Sequence, residues 1–352
     1  VRKASPYMRV VLFGVGRLGS FHAATLHAHP EVSELVLADA DAARAAGAAA
    51  RLGAGARAAS SVVAAFAGGA DAVVIASATS AHAELISRAV RAGLPVYCEK
   101  PVALDLESTV TALREVEEAG AVLQMGFQRR FDPGYRAARE AVRAGRLGRL
   151  HTVRALTSDM APPPPEFVPL SGGLYRDCLI HDFDAVRWVT GREVVEVYAT
   201  GANGGAAFFR DAGDVDTAAA LLTLDDGTLA TATSTRYNGA GYDIRMELAG
   251  SLDQIAVGVG PRTPVTSVEP GAAPGVPDPW TGFVDRFGDA YRAEIDAFLQ
   301  LVTGRSENPC DGREALDALL VAEACEVSRR ERRPVTVAEM AEVAEHAGTR
   351  AR

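Results

Sequence analysis

The stretch Met8-Arg9-Val10-Val11-Leu12-Phe13-Gly14-Val15-Gly16-Arg17-Leu18-Gly19 decides how the first part of the chain folds. Residues 9–13 read as a strand buried on both faces, because Val10 to Phe13 is apolar without alternation. The glycines that follow have the spacing G-x-G-x-x-G and lead into a helical pattern over 18–29. In that setting the first glycine permits a tight turn, the second lets the backbone approach a pyrophosphate, and the third lets helix pack on strand. The helix N-terminus adds oriented N–H donors for phosphate oxygens. Working outward, apolar runs at 35–38, 72–76, 95–98 and 122–125 alternate with Ala-rich helix candidates near 41–52, 80–92 and 105–119. Continuous apolar strands separated by helices predict an α/β domain with a doubly wound parallel sheet.

Asp39 ends the second predicted strand, 20 residues beyond Gly19. A carboxylate there accepts hydrogen bonds from both hydroxyls of an adenosine ribose and repels a 2′-phosphate, so NAD is favoured over NADP. Arg44, close by in sequence, keeps NADP use open. The bland alternative is a glycine turn in a chain with 34 glycines. Strand, helix and acid in their places argue for the cofactor reading, which takes in Gly14, Gly16, Arg17, Leu18, Gly19 and Asp39.

The chain has 352 residues, enough for two domains of ordinary size, divided here as 1–128 and 129–352. An apolar fraction of 48% with 23% charged residues fits a soluble globular protein. No apolar run reaches a membrane span, no signal-peptide core precedes Met8, and residues 1–7 read as a start-site extension. A net charge of −9 argues against a sequence-independent nucleic-acid binder. Cys98, Cys178, Cys310 and Cys325 show neither CxxC nor zinc spacing. They read as reduced thiols, and the expected location is cytoplasmic.

After Gly126 the pattern changes. A helix near 134–144 leads to a strand at 150–157, a proline tract at 162–165 that forms an ordered or lid-like loop, and a helix near 174–190. Alternating segments follow at 193–202, 215–224, 228–236, 243–249 and 253–259, with Asp225-Asp226-Gly227 as a hairpin turn. A Pro/Gly-rich stretch, 260–282, precedes two helices near 285–303 and 312–330. The second domain is therefore expected to be α+β, built on one large, mostly antiparallel open sheet.

Of the 36 lysines and arginines only Lys3 and Lys100 are lysines, and Lys3 falls in an expected frayed terminus. Lys100 sits in Glu99-Lys100-Pro101 at the carboxyl end of a predicted strand, the edge where open α/β sheets bind ligands. A lysine kept in so arginine-rich a chain points to a need for a compact donor of tunable pKa. Asp177 and His181 are i and i+4 on a predicted helix and share a face. A neutral imidazole takes a proton from an alcohol near neutral pH, and a neighbouring carboxylate orients the hydroxyl and stabilises the imidazolium. The alternative for this pair is a surface helix pair. Asp182 and Asp184 adjoin His181 and raise a metal reading, but no second histidine lies at ligand spacing and hydride transfer needs no metal; none is expected.

These features together resemble the Gfo/Idh/MocA family of NAD(P)-dependent oxidoreductases, and its inositol 2-dehydrogenase branch, from about Met8 to the helix near 330. The markers are the glycine loop, Glu99-Lys100-Pro101, Gly126-Phe127-Gln128-Arg129-Arg130-Phe131-Asp132, and Ser171-Gly172-Gly173-Leu174-Tyr175-Arg176-Asp177 running on into Ile180-His181-Asp182-Phe183-Asp184. The proline loop from Ala161 and Gly241-Tyr242-Asp243 also fit that branch. The resemblance implies a Rossmann domain followed by a domain whose open sheet packs on its counterpart in another subunit, giving dimers or tetramers. It implies His181 as base, Asp177 as its partner and substrate ligand, and Lys100 as donor to the reacting oxygen. It further implies cofactor contacts from Ser77, Thr79, His82, Glu99, Lys100 and Gln128, and a cis Lys100–Pro101 bond. Arg129, Asp159 and Tyr242 are expected at the substrate, with a salt bridge as the alternative for Arg129, a strand-core place for Tyr242 and a helix cap for His82.

The expected reaction is NAD-dependent oxidation of a ring secondary hydroxyl of a cyclitol, the axial one of myo-inositol, or its reverse. Another inositol isomer, an inosose, an aminocyclitol precursor or a pyranose are the alternative substrates. A non-catalytic NAD(H) sensor is the alternative of a different class, and the Lys100, Asp177 and His181 set argues against it. The chain departs from the branch at an extra glycine-rich turn over 237–242 and a longer, proline-richer segment over 260–280. Both are expected to line the pocket, which bears on the substrate more than on the reaction type.

Overall fold

The computed structural model describes residues 7–272 and 275–350, so Lys3 and nearly all of the expected start-site extension lie outside the described residues. The chain divides into two units. One contains the residues up to Gln128 together with Tyr291–Leu316, and the other Arg129–Ala290 with Asp317–Arg350.

The first unit is a six-stranded parallel sheet of β1 (Met8–Phe13), β2 (Val32–Ala38), β3 (Ala56–Ala58), β4 (Ala72–Ile75), β5 (Val96–Glu99) and β6 (Leu123–Gly126). Its order, β3-β2-β1-β4-β5-β6, reverses at β1 and β4, the arrangement of a Rossmann sheet. The crossovers carry α1 (Arg17–Ala28), α2 (Ala42–Leu52), α3 (Val62–Ala67), α4 (His82–Arg91) and α5 (Leu106–Glu118). Asp41, Ser61 and Asp105 cap α2, α3 and α5 through side-chain oxygens that accept first-turn N–H groups. β3 and α3 were not expected, since a three-residue strand and a six-residue helix are too short to show a period.

The expected continuous second domain, 129–352, needs correction. Ile295, Phe298 and Leu299 belong to the first unit's buried core with Leu12, Leu26, Leu37, Val74 and Tyr97. Met125 N–H donates to Cys310 O at 2.8 Å, and the Asn308 amide donates to Leu123 O at 2.7 Å, which ties the returning segment to the edge strand β6. An amphipathic pattern says that a helix has an apolar face, not which core receives it.

The second unit begins with α6 (Pro133–Arg143), with Asp132 as its N-cap. Its seven-stranded sheet contains β7 (Leu150–Ser158), β8 (Val194–Ala202), β9 (Thr217–Leu224), β10 (Leu229–Thr235), β11 (Asp243–Gly250), β12 (Gln254–Val257) and the short β13 (Val335–Thr336), in the order β12-β11-β7-β10-β9-β8-β13. All neighbours are antiparallel except β7 and β10. Burial alternates strictly along β9 and β10, so one face is core and the other is exposed. The β9–β10 hairpin closes at the expected turn, with Gly227 at φ +84° and Asp226 accepting the Thr228 N–H.

The helix expected over 174–190 is also corrected. Tyr175–Leu179 forms a π turn, and α7 (Ile180–Thr190) starts only after it. Single π turns recur at functional sites, and this one carries Asp177. The remaining helices are α8 (Ala207–Asp211), α9 (Phe283–Val302), α10 (Gly312–Glu331) and α11 (Val337–Arg350). Among the described residues no helix is long and apolar enough to cross a membrane.

Candidate active site

Parallel strands deliver their carboxyl ends to one edge of a sheet, and the expected residues of the first unit lie there. Gly14 follows β1, Asp39 follows β2, Ser77 lies two residues past β4, Lys100 follows β5 and Gln128 lies two residues past β6. The loop glycines differ in what requires them. At Gly14, φ is +90° and a Cβ would come within 2.5 Å of Ser77 Cα; at Gly19 a Cβ would clash with Gly14 O. Both are demanded by the fold itself. At Gly16 the backbone is extended and a Cβ would meet nothing within 4 Å. That open space beside exposed Gly16 and Arg17 is where a pyrophosphate would come close, so the loop fits a dinucleotide.

Asp39 is tied directly to this loop. Its Oδ2 accepts the Val15 N–H at 2.8 Å, and its Oδ1 accepts from Asp41 N–H at 2.9 Å and Arg44 Nη1 at 3.2 Å. Arg44 therefore pairs with the acid instead of standing apart as a phosphate ligand.

Around Lys100 the contacts run inward. The Lys100–Pro101 bond is cis, as the resemblance implies. His82, 1% exposed, lies with Nδ1 2.7 Å from Pro101 O and Nε2 3.1 Å from Ser77 O. Burial holds its pKa below the usual histidine range, against the pull of the two carbonyls. A neutral ring has one N–H, and the shorter contact assigns it to Pro101. His82 thus braces the peptide beside Lys100. Glu99 likewise turns its carboxylate into the unit: Oε1 lies 2.7 Å from His22 Nε2 and 2.9 Å from the Tyr97 hydroxyl. That hydroxyl is also 2.9 Å from Glu294 Oε2, and burial raises the Tyr97 pKa well above its ordinary value. Thr79 opens a short 3₁₀ turn (Thr79–Ala81) before α4 and is half-buried.

In the second unit, three elements converge on Arg236. It follows β10, is 4% exposed, and donates to Asp159 Oδ2 at 2.8 Å and to Asp177 Oδ2 at 2.6 Å. Cys178 Sγ lies 4.0 Å from the same Asp159 oxygen and 3.9 Å from that of Asp177. Burial works against the Arg236 charge, but Cys178, Asp177 and Asp159 together raise its pKa. His181 is half-buried in the first turn of α7. Tyr242 immediately precedes β11; it is buried, its N–H donates to Trp280 O at 2.6 Å, and burial followed by the Asp159 charge raises its phenol pKa.

Arg129 takes the salt-bridge alternative. It is 2% exposed, and its terminal nitrogens donate to Asp182 Oδ1 at 2.5 Å and Thr157 Oγ1 at 2.7 Å. Arg130 pairs in the same way with Asp184 at 2.5 Å. The two acids that raised the metal reading are engaged by arginines. Among the described residues, no group of three or more His, Cys, Asp or Glu side chains is placed to hold a metal ion. All four cysteines are buried and none forms a disulfide.

The sequence reading missed Arg236. Its only available signal was an arginine ending an alternating segment, in a chain with 34 arginines. The glycine-rich turn over 237–242 and the proline-rich segment over 260–280 meet: a Cβ on Gly241, at φ +142°, would come within 2.9 Å of Pro264 Cβ, Pro279 Cβ and Trp280 O.

Residues 8–127 match the family described as oxidoreductase family, NAD-binding Rossmann fold, and residues 135–256 match the GFO/IDH/MocA C-terminal domain. The chain is 41% identical over 323 residues to a myo-inositol dehydrogenase, Hyg17, of Streptomyces leeuwenhoekii, with 91% of this chain and 97% of the relative covered. It is 36% identical over 333 residues to an inositol 2-dehydrogenase of Rhizobium meliloti, covering 94% and 99%. The crystal structure of scyllo-inositol dehydrogenase from Lactobacillus casei with bound NAD(H) and scyllo-inositol superposes with a TM-score of 0.84 at 28% identity, covering 94% of this chain and 99% of that one. With both parts matched and relatives spanned end to end, the chain belongs to the GFO/IDH/MocA family of oxidoreductases and carries its NAD-binding Rossmann fold.

Proposed function

We propose that the chain oxidises a secondary ring hydroxyl of a cyclitol with NAD, converting myo-inositol to 2-keto-myo-inositol or running the reverse. The observation that carries this is the convergence of Asp159 and Asp177 on Arg236, one turn before His181, in a chain whose near-full-length relatives are named inositol dehydrogenases. Carboxylates and an imidazole at one sheet edge suit a neutral, hydroxyl-rich ring, because each hydroxyl donates one hydrogen bond and accepts others.

In this reading the dinucleotide is held by Gly14, Gly16, Arg17, Leu18 and Gly19, with Asp39 on the ribose and Ser77, Thr79 and Gln128 lining the same edge. When bound, NAD supplies the hydride acceptor. His181 takes the hydroxyl proton as general base. Asp177 orients that hydroxyl and stabilises the imidazolium, and the Lys100 ammonium donates to the oxygen as it gains alkoxide character. Asp159 and Tyr242 contact the remaining ring hydroxyls. Arg129 supports the edge from inside through Asp182, and His82 and Glu99 hold the Lys100 loop.

Self-association belongs to the same proposal. The exposed face of the seven-stranded sheet carries Val195, Tyr198, Leu221 and Leu229 among threonines and alanines, and Tyr198 is the register partner of Leu221. We assign this face to another copy of the chain, and the enzyme to the cytoplasm.

The test follows NADH formation with purified protein, NAD and myo-inositol, with NADP in parallel. Lys100→Ala and His181→Ala are each expected to lower kcat by about 10²-fold or more while NADH affinity is kept. Native turnover in both folded variants would refute the assignment. Gly241 packed between Pro264 and Pro279 favours a second reading, the same chemistry on another cyclitol or a pyranose, which a substrate panel separates.

A further inference from the structure

The one parallel pair of the second sheet sets beside Asp159 a residue, Arg236, to which the reaction scheme gives no role of its own. Thr235 of β10 and Ser158 of β7 are register partners, so the next residues, Arg236 and Asp159, leave the sheet side by side. Both backbones are fixed there: Asp159 N–H donates to Thr235 O at 2.9 Å, and Arg236 N–H donates to Asp216 O at 2.8 Å. Asp177 arrives from a separate element, the π turn Tyr175–Leu179. Its Oδ2 accepts from one terminal nitrogen of Arg236 at 2.6 Å, while the other terminal nitrogen reaches Asp159 Oδ2 at 2.8 Å.

Two carboxylates on one guanidinium would repel each other without the cation. The planar fork also sets the separation of the two oxygens, because both terminal nitrogens belong to one rigid group. The Asp177 backbone is seated by its own N–H, which donates to Gly173 O at 2.9 Å, and its carboxylate is aimed by what it binds.

We propose that Arg236 is a positioning residue for the dehydrogenase reaction: it locks Asp177 and Asp159 into one rigid acceptor pair that presents both carboxylates to the same substrate ring. The proposal rests on the role given to Asp177 above. Arg236 itself acts through these acids. A lysine at this position would keep the charge and lose the fork, so charge and geometry are separable.

The experiment compares the full-length native enzyme with Arg236→Gln, Arg236→Lys and Asp177→Asn, using NAD and myo-inositol or the best cyclitol of the panel. It reads kcat, KM, NADH affinity, melting temperature and the primary deuterium isotope effect with substrate labelled at the reacting carbon. Misplacing a reacting group by about an ångström costs about 10²-fold, so Arg236→Gln is expected to lose about that much in kcat. Arg236→Lys should recover only part of it, with NADH affinity native in both. The isotope effect on kcat should rise in both variants, because a misaimed acid slows hydride transfer relative to product release. A purely structural role would lower the melting temperature and leave the isotope effect unchanged.

Native kcat and isotope effect in folded Arg236→Gln would overturn the proposal. Should that variant fail to fold, Arg236→Lys decides, and fully native kinetics there overturn it equally. Loss of activity in Asp177→Asn beside native Arg236 variants defeats the clamp alone. Native activity in Asp177→Asn defeats the reading of Asp177 and the clamp with it.

Discussion

Gly16→Ala separates folding from cofactor binding in a way that its neighbours cannot. In the chain itself a methyl group on Gly16 meets nothing within 4 Å, and the residue's extended backbone, φ −68° and ψ −160°, is one that alanine adopts. Replacing glycine with alanine at a compatible position stabilises by about 0.4–1 kcal/mol, through the entropy of the unfolded chain. Melting temperature should therefore hold or rise. The same methyl occupies the space through which a pyrophosphate oxygen approaches the loop N–H groups. Losing one charge-assisted hydrogen bond there costs about 1.5–3 kcal/mol. That corresponds to a loss of about 10- to 150-fold in affinity. NADH fluorescence titration alongside thermal denaturation reads both quantities on one sample. Gly14→Ala and Gly19→Ala serve as contrasts, since their methyl groups would strike Ser77 Cα and Gly14 O, and both should lower stability as well as binding. Native NADH affinity in Gly16→Ala would refute the assignment of this loop to the phosphates.

Three other outcomes follow from the geometry. Asp39→Ala should raise kcat/KM with NADP relative to NAD by about tenfold or more, since it removes the repulsive carboxylate and releases Arg44 from its 3.2 Å pair; an unchanged ratio would remove Asp39 from cofactor choice. Tyr135 is wholly buried, its hydroxyl has no hydrogen-bond partner among the described residues, and burial raises its pKa to about 12. Its phenol stays protonated in the folded chain while an unfolded tyrosine ionises near pH 10, so its contribution is complete below about pH 10 and lost as pH rises toward 12. Tyr135→Phe should then leave neutral-pH stability equal or higher and flatten urea stability over that alkaline window; a loss of more than about 1 kcal/mol at neutral pH would show a hydroxyl partner after all. Leu221→Lys on the exposed sheet face should reduce the mass measured by light scattering to that of a smaller species, and an unchanged mass would move the interface elsewhere.

What was legible in the sequence follows chemical constraint. Gly14 and Gly19 stand where backbone clash leaves few alternatives, and Asp39 holds the Val15 N–H of the same loop, all within one β-α-β unit whose spacing is short. Lys100 was legible because lysine is nearly absent elsewhere. Arg236 was not, because its meaning depends on β10 pairing parallel with β7, a register set by sheet topology and not by local pattern. His82 and Glu99 were read toward the ligand and turn out to make interior contacts. A polar residue next to a site motif has the same sequence signature whether it faces the ligand or holds the residue that does. The membership of Ile295, Phe298 and Leu299 in the first unit was hidden for a related reason, since periodicity reports a face and not its partner.

The glycine-rich turn over 237–242 and the proline-rich segment over 260–280 carry the remaining question, and the structure makes them one feature. Gly241 has no room for a side chain because Pro264, Pro279 and Trp280 close on it, and Trp280 O also accepts the Tyr242 N–H. Arg262 stacks on the Trp280 ring at 3.8 Å and pairs with Asp285 at 3.0 Å, which anchors the proline-rich segment from its outer side. The glycine turn is therefore a seat for the proline-rich segment, because a side chain at position 241 would strike both prolines. Tyr242 is held between them, within the field of Asp159, whose carboxylate Arg236 fixes. The segment is thus coupled through Tyr242 to the same acids that are assigned to the substrate ring. Substrate choice in this chain should follow the glycine turn and the proline-rich segment exchanged together, and exchange of either alone should cost stability before it changes specificity.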